Sequence, residues 1–214
     1  MISGIKICGV SDIKTSNYII NHPNPPQYVG FITNYKKSKR YVNYETLKQL
    51  TSVKKKKIKF VSVLVRPSND VLEKIKNLNI DYYQLYDVDP EATDLIKKKY
   101  KKKIISSITI ENRDHFERYK LYENISDIIL FDGKGYEKSI SFDHQLLKNF
   151  PKNITFMLAG NITINNIPMI ENKDYIIDLS GSLENKDGKK DIKKINEFLN
   201  KVKLIWNLNT EHML

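Results

Sequence analysis

The amino-acid sequence predicts an α/β protein folded as a single (β/α)8 TIM barrel over residues 1–214. Two observations lead to this fold class. Short apolar segments rich in β-branched residues recur eight times, and their first residues lie 21 to 30 positions apart. Most segments between them carry apolar side chains at helical spacing. Because parallel neighbours need a crossover connection, this alternation indicates parallel β/α units, and eight such units can close into a barrel.

The eight apolar segments are predicted strands. In chain order they are Ile5–Cys8, Tyr28–Ile32, Ile58–Val65, Tyr82–Leu85, Ile104–Ile108, Ile128–Phe131, Ile154–Leu158 and Tyr175–Leu179. An open doubly wound sheet is the alternative. It more often has fewer strands, and no G-x-G-x-x-G motif follows any of these segments.

The clearest predicted helices repeat apolar side chains every three or four residues. They cover Asn43–Val53, Ser68–Leu78 and Asp191–Val202. Two connections are weaker. Prolines in "HPNPPQ" predict a short or irregular first helix, and Pro168 predicts the same for the seventh.

The composition is that of a folded chain, since 40% of its 214 residues are hydrophobic. The single cysteine cannot form an internal disulfide, which suits a reducing cytoplasm. No apolar stretch is long enough for a signal peptide or a membrane span. We therefore expect a cytoplasmic protein without a membrane partner. The four histidines, at 22, 115, 144 and 212, lack metal-ligand spacing.

The net charge of +11 raises the possibility of nucleic-acid binding. The two largest basic runs, "KKKK" at 54–57 and "KKKYKKK" at 97–103, lie directly before predicted strands. In a barrel those positions are loops on the face opposite the catalytic mouth. We expect solvated lysines there and no nucleic-acid partner, with a non-catalytic nucleic-acid-binding barrel as an alternative.

Side chains that can take part in catalysis or binding lie at or just after the ends of several predicted strands. Cys8 ends the first and Gly9 follows it, Arg40 lies in the loop after the second, and Asp132 directly follows the sixth. The seventh and eighth end in the small-residue turns "LAGN" and "DLSGS". Because barrel enzymes keep their active sites at the carboxyl ends of strands, we expect these groups to meet at one mouth.

These segments, taken in order, resemble the phosphoribosylanthranilate isomerase family of tryptophan biosynthesis. "KICG" at 6–9 is similar to the family's K-I-C-G, and "DLSGSLENKDGKKD" at 178–191 to D-V-S-S-G-V-E-x-x-x-G-x-K-D. The other matching segments are "GFITNYKKSKRYV" (30–42), "VSVLV" (61–65), "DYYQLYDVDPE" (81–91), "ILFDGKG" (129–135), "FDHQLL" (142–147) and "LAGNI" (158–162).

The resemblance implies an Amadori rearrangement, an aldose–ketose isomerisation of N-(5'-phosphoribosyl)anthranilate. It implies that Asp132 is the general acid that opens the ribose ring and that Cys8 is the general base at the sugar C2. A modest downward shift of the Cys8 pKa would supply thiolate at neutral pH. No metal or organic cofactor is needed, because the imine of the substrate accepts the electrons.

The resemblance also implies how two anionic groups of a small phosphorylated substrate are bound. Arg40 faces the anthranilate carboxylate, and Asp178 lies near the sugar. The candidate phosphate-binding residues are Gly160, Asn161, Ser180, Gly181 and Ser182. All of these residues come from one chain, which is compatible with a monomer.

The chain departs from the family pattern at four of these positions and in one loop. Asn161 replaces the second glycine of L-A-G-G, and S-S-G becomes "SGS" around Gly181. Tyr86 replaces the histidine of Q-L-H-G, and Asp87 adds a negative charge. The loop after Asp132 lacks the pattern G-G-x-G-K-T. The retained acid, base and arginine favour a working isomerase, with a related isomerase of another phosphorylated aminosugar as an alternative.

Overall fold

Eight parallel strands close a barrel in the order β1 to β8 in a computed structural model that describes residues 2–133, 142–167 and 174–211. Each strand pairs in parallel with the next, and β8 pairs with β1. The strands are β1 Ile2–Cys8, β2 Tyr28–Ile32, β3 Lys59–Val65, β4 Tyr82–Tyr86, β5 Lys103–Ile110, β6 Ile128–Gly133, β7 Phe156–Leu158 and β8 Tyr175–Leu179. The predicted fold class is therefore confirmed.

Helices cover the outside of the barrel. Within the described ranges they are α1 Ile13–Asn21, α2 Tyr44–Ser52, α3 Asn69–Ile75, α4 Pro90–Tyr100, α5 Arg113–Glu117 and α6 Ile192–Glu211. Five begin after a side chain that accepts a hydrogen bond from a backbone N–H three residues on: Asp12, Asn43, Ser68, Asp89 and Asn112. None of the described helices is both long enough and apolar enough to cross a membrane.

The connections predicted to be weak differ from one another. The first helix, α1, is short at nine residues but regular, and the prolines of "HPNPPQ" shape only the segment that follows it. In the seventh connection, residues 159–167 are not helical, and Pro168 lies outside the described residues. In the sixth, a 3₁₀ turn at His144–Asn149 replaces an α-helix, which the sequence did not predict.

An aromatic cluster covers β6 beside that 3₁₀ turn. Phe150 stands edge-on to Phe131 of β6, with ring centroids 5.3 Å apart, and Phe116 of α5 lies 5.1 Å from the same ring. Phe150 also packs 5.0 Å from Phe156 of β7. Large rings bury much apolar area from few residues, so they stabilise a strand that no full helix covers.

Alternating residues of each strand face two different cores. On β1, Ile5 and Ile7 pack in the layer between sheet and helices, whereas Cys8 packs inside the barrel. Lys6 lies two residues before Cys8, so it shares the inward face. The inner core is otherwise mostly apolar, with Val61, Val63, Ile105, Leu130 and Met157 among its members.

At the face where strands begin, side chains just before even-numbered strands bind the neighbouring strand. Asp81 Oδ2 accepts the Phe60 N–H of β3 at 2.7 Å, and Asp127 Oδ2 accepts the Ile104 N–H of β5 at 2.8 Å. Gln27 Oε1 accepts the Ile5 N–H of β1 at 2.6 Å. These acceptors satisfy backbone donors where the barrel begins.

The basic runs contribute lysines to these same carboxylates. Lys55 Nζ lies 2.6 Å from Asp81, and Lys97 Nζ lies 3.0 Å from Asp127. Both runs lie on the face opposite the carboxyl ends of the strands, as predicted. The second run is only partly a loop, because 97–99 form the last turn of α4 and Lys103 begins β5. Lysines at the carboxyl terminus of a helix stabilise it, because their positive charge lies near the negative end of the helix dipole.

Replacing Asp81 with alanine is expected to lower the free energy of unfolding by about 1–3 kcal/mol, because the Phe60 N–H and the Lys55 ammonium lose their acceptor. Urea denaturation of both proteins measures the difference. Asp94→Ala is the matched control. It removes an exposed Asp94–Lys98 pair on α4 and is expected to leave stability nearly unchanged. Equal losses of unfolding free energy in the two variants would show that the contact of Asp81 with β3 adds no stability beyond that of an exposed ion pair.

Candidate active site

A cavity of about 600 Å³ opens at the carboxyl ends of the strands. It brings together all nine residues that the sequence singled out, from five loops or strand ends: Cys8, Arg40, Asp132, Gly160, Asn161, Asp178, Ser180, Gly181 and Ser182. A volume of this size is typical of sites for small ligands. These nine residues therefore bring a thiol, a guanidinium and two carboxyl groups to one cavity.

Cys8 occupies the last position of β1, directly opposite Gly30 of β2. Its side chain is buried but lines the cavity. A Cβ atom on Gly30 would lie 2.9 Å from the Cys8 sulfur and 3.2 Å from Cε of Lys6. Gly30 therefore leaves the room that both inward side chains of β1 occupy.

A buried ion pair lies beneath the thiol. Lys6 Nζ is 2.7 Å from Oδ2 of Asp178, its register partner on β8, and Lys6 is fully buried. Among the described residues, Asp178 Oδ1 has no hydrogen-bond partner. Burial lowers the pKa of Lys6, but the interactions with Asp178 and Cys8 together raise it by more, so its pKa lies above the ordinary value. Lys6 is therefore a fixed positive charge next to Cys8.

The Cys8 pKa is raised, so the expected downward shift is wrong. Burial disfavours the thiolate more than the Lys6 ammonium stabilises it, and the nearby Asp178 carboxyl raises the pKa further. The sequence could not reveal this balance, because the depth of the thiol depends on neighbouring strands. The protonated thiol is consequently the main form at neutral pH.

Asp132, on β6, receives a hydrogen bond from a residue that the sequence identified only as a departure. Tyr86 Oη donates to Asp132 Oδ2 at 2.9 Å, and both side chains are buried. Burial raises the Tyr86 pKa well above its ordinary value, so the hydroxyl keeps its proton. The neighbouring departure, Asp87, directly follows β4; it is not among the cavity-lining residues, and its Oδ2 lies 3.8 Å from Nε of Arg66.

Arg40 is held by a bidentate contact that sequence reasoning missed. Its Nε donates to Glu184 Oε1 at 2.5 Å and its Nη2 to Oε2 at 3.0 Å. A Cβ atom on Gly9 would lie 2.5 Å from Cδ of Arg40, and Gly9 has a φ of +75°. Glycine at position 9 therefore serves both the turn after β1 and the packing of Arg40.

Lys190 connects Glu184 to the turn after β8. Its Nζ lies 2.6 Å from Glu184 Oε1 and donates to the Ser180 carbonyl at 3.1 Å. Ser180 Oγ in turn donates to the Cys8 carbonyl at 3.2 Å. Both Glu184 and Lys190 stand in the quoted "DLSGSLENKDGKKD" segment, but no sequence signal identified their partners.

The candidate phosphate-binding turns follow β7 and β8. Gly160 and Asn161 both have positive φ, +97° and +51°. Asparagine tolerates this region better than most residues, so the replacement of glycine by Asn161 is compatible with the turn. After Ser180, a 3₁₀ turn covers Gly181–Leu183. Residues of both turns line the same cavity as Arg40 and Cys8.

The described histidines take no part in this cavity. His22 Nε2 lies 3.1 Å from Asn196 Oδ1, and its Nδ1 accepts the Asn24 N–H at 3.0 Å. His115 and His144 are absent from the cavity lining, and His212 lies outside the described residues. Among the described residues, no three His, Cys, Asp or Glu side chains are grouped so that they could hold a metal ion.

The sequence over residues 5–201 matches the family model described as N-(5'-phosphoribosyl)anthranilate (PRA) isomerase. It is 32% identical over 209 residues to the N-(5'-phosphoribosyl)anthranilate isomerase of Rhizobium rhizogenes, covering 92% of this chain and 93% of the relative. To that of a Sulfurihydrogenibium species it is 31% identical over 206 residues, covering 93% and 98%.

Solved structures give the same fold. Phosphoribosyl anthranilate isomerase from Thermotoga maritima superposes with a TM-score of 0.78 at 23% identity, covering 95% of this chain and 99% of that one. A phosphoribosyl anthranilate isomerase in complex with reduced 1-(o-carboxyphenylamino)-1-deoxyribulose 5-phosphate gives 0.76 at 22%, with the same coverage.

Alkylation of Cys8 by iodoacetamide is expected to accelerate with pH up to a midpoint above that of an exposed cysteine. Only the thiolate reacts, and the raised pKa keeps the thiol protonated until higher pH. Lys6→Met is expected to move the midpoint further upward, because it removes the adjacent positive charge. Mass spectrometry of timed samples, with N-acetylcysteine as reference, measures both midpoints. A Cys8 midpoint below the reference would contradict the assignment.

Proposed function

This chain belongs to the N-(5'-phosphoribosyl)anthranilate isomerase family, and we propose that Cys8 and Asp132 are its general base and general acid. The reaction is the Amadori rearrangement of N-(5'-phosphoribosyl)anthranilate to 1-(2-carboxyphenylamino)-1-deoxyribulose 5-phosphate in tryptophan biosynthesis. It is an aldose–ketose isomerisation, an intramolecular oxidation–reduction in which C1 of the sugar is reduced and C2 is oxidised.

One observation carries the proposed roles. The Cys8 thiol, on β1, and the Asp132 carboxyl group, on β6, line the same cavity from different strand ends. A sugar held between them presents its ring oxygen to one group and its C2 hydrogen to the other. Positioning two groups on one substrate supplies much of the rate enhancement in such sites.

Asp132 acts first, by protonating the ring oxygen of the ribose. The bond between C1 and the ring oxygen breaks, and the lone pair of the anthranilate nitrogen forms a C1–N double bond. The product is an open-chain iminium with a free hydroxyl, and Asp132 is left as the carboxylate. Positive charge on the iminium then makes the C2 hydrogen acidic.

The thiolate of Cys8, the minor form at neutral pH, then removes the C2 hydrogen and becomes the thiol. The electrons of the C–H bond form a C1–C2 double bond, and those of the C1–N double bond return to nitrogen. The resulting enol loses its hydroxyl proton while C1 gains a proton, which gives the ketose. Lys6 stabilises the reacting thiolate, because its ammonium lies at the same inward face of β1.

The two anionic groups of the substrate have separate binding positions in the proposal. Arg40 pairs with the anthranilate carboxylate, and the Glu184 contact fixes the plane of its guanidinium. The phosphate binds at the turns that hold Gly160 and Asn161 and, after β8, Ser180, Gly181 and Ser182. Asp178 lies near the sugar and holds Lys6 in place.

We further propose that residues 1–214 form one domain that works as a monomer in the cytoplasm. One chain supplies every group that the mechanism uses, so the site needs no second copy. The lone thiol is a chemical base here, and a reducing compartment keeps it available. The partner is a small phosphorylated molecule, since the paired lysines of the basic runs lie on the opposite face.

Cys8→Ala and Asp132→Asn are each expected to lower kcat/KM by about 10²- to 10⁴-fold, because each removes one proton-transfer group. Loss of substrate fluorescence measures turnover, and chromatography identifies the product. Asp94→Asn on α4 is the control for substitution as such. Normal turnover by either site variant would refute the role assigned to that residue.

Arg40→Met is expected to raise KM by about 10- to 100-fold with a smaller change in kcat, because the substrate carboxylate loses a charge-assisted pair. Arg40→Lys should recover only part of the loss, since lysine lacks the planar two-donor edge. Steady-state kinetics at several substrate concentrations separate the two constants. An unchanged KM in Arg40→Met would place the carboxylate elsewhere.

A further inference from the structure

The geometry around Asp132 assigns a function to Tyr86. We propose that Tyr86 is a positioning residue: its hydroxyl determines which oxygen of Asp132 carries the catalytic proton and stabilises the carboxylate that proton transfer creates. The inference rests on the proposed role of Asp132 as the general acid. It concerns a position where this chain departs from the Q-L-H-G pattern of its family.

The contact is made across a strand. Tyr86 ends β4 and Asp132 lies on β6, so β5 stands between them. The β5 residue in register with Tyr86 is Ser107, which is also in register with Leu130 of β6. Parallel register partners face the same side of a sheet, so Ser107 points inward. Its small side chain leaves the tyrosine ring room to reach Asp132, where Oη and Oδ2 lie 2.9 Å apart.

The direction of the hydrogen bond fixes the position of the proton. Tyr86 donates to Oδ2, so the acidic proton of a neutral Asp132 resides on Oδ1. The hydroxyl remains a donor, because burial and the neighbouring Asp132, Asp178 and Cys8 groups all oppose its ionisation. Tyr86 therefore neither supplies nor removes a proton itself during ring opening.

The same contact favours the transition state over the ground state. A hydrogen bond to an ionised carboxylate is stronger than one to a neutral carboxyl group. As the proton moves from Asp132 to the ring oxygen, negative charge develops on the carboxylate, and the Tyr86 bond becomes stronger. Interactions that strengthen along the reaction raise kcat without improving substrate binding. The expected effect of removing the hydroxyl is therefore on kcat.

Tyr86→Phe tests this directly, because it removes one oxygen and keeps the ring. We expect kcat to fall about tenfold, with KM changed less than about twofold. Tyr86→His is expected to recover most of the loss, since an imidazole N–H again provides a donor. A merely structural tyrosine would not be rescued in this way, and its loss would not be confined to kcat.

Tyr83→Phe is the matched control. Tyr83 lies on the same strand and is fully buried, but it packs in the outer core, and its hydroxyl has no hydrogen-bond partner among the described residues. The control should keep the wild-type kcat. Thermal unfolding of all variants, followed by circular dichroism, confirms that kinetics are compared between folded proteins.

A double-mutant cycle completes the experiment. If Tyr86 acts through Asp132, then Tyr86→Phe should cause no further loss in an Asp132→Asn background. Additive losses, or a wild-type kcat in Tyr86→Phe, would overturn this inference while leaving the function of Asp132 intact. Full activity in Asp132→Asn would instead refute the role of Asp132, and with it the basis of this inference.

Discussion

The buried pair between Lys6 and Asp178 is the interaction on which the rest of the site depends. It lies where β1 and β8 meet, which is the pairing that closes the barrel. Removing one partner of such a pair typically costs about 3–5 kcal/mol, because the other charge stays buried and unpaired. The pair therefore links the closure of the fold to the environment of the thiol two residues further along β1.

That environment sets the pKa of the buried cysteine that we propose as the general base. Burial alone keeps the thiol protonated, and the Lys6 ammonium opposes this effect. Asp178 holds the lysine in place but also weakens its influence on sulfur, since its own charge favours the protonated thiol. The resulting balance leaves the thiol as the main form of Cys8 and the thiolate as the minor form.

The two ends of the barrel divide stability from chemistry. Where strands begin, Asp81 and Asp127 accept strand N–H groups and pair with lysines of the basic runs. Where strands end, Glu184 instead pairs with Arg40, and glycines leave space for the side chains of Cys8 and Arg40. The positive charge of the chain thus has two uses. Part of it pairs with carboxylates where the strands begin, and part of it lies at the cavity, where we propose that the anionic groups of the substrate bind.

The sequence by itself determined the order of strands, the barrel and the identity of the candidate groups at its mouth. Tyr28–Ile32 and Tyr175–Leu179 have the predicted bounds because apolar periodicity is a local property of the chain. Tertiary structure decided the Tyr86–Asp132 hydrogen bond, the Arg40–Glu184 pair and the raised pKa of Cys8. These contacts join residues 46 and 144 positions apart, and the pKa depends on burial by neighbouring strands. Such distances and depths exist only once the barrel has closed.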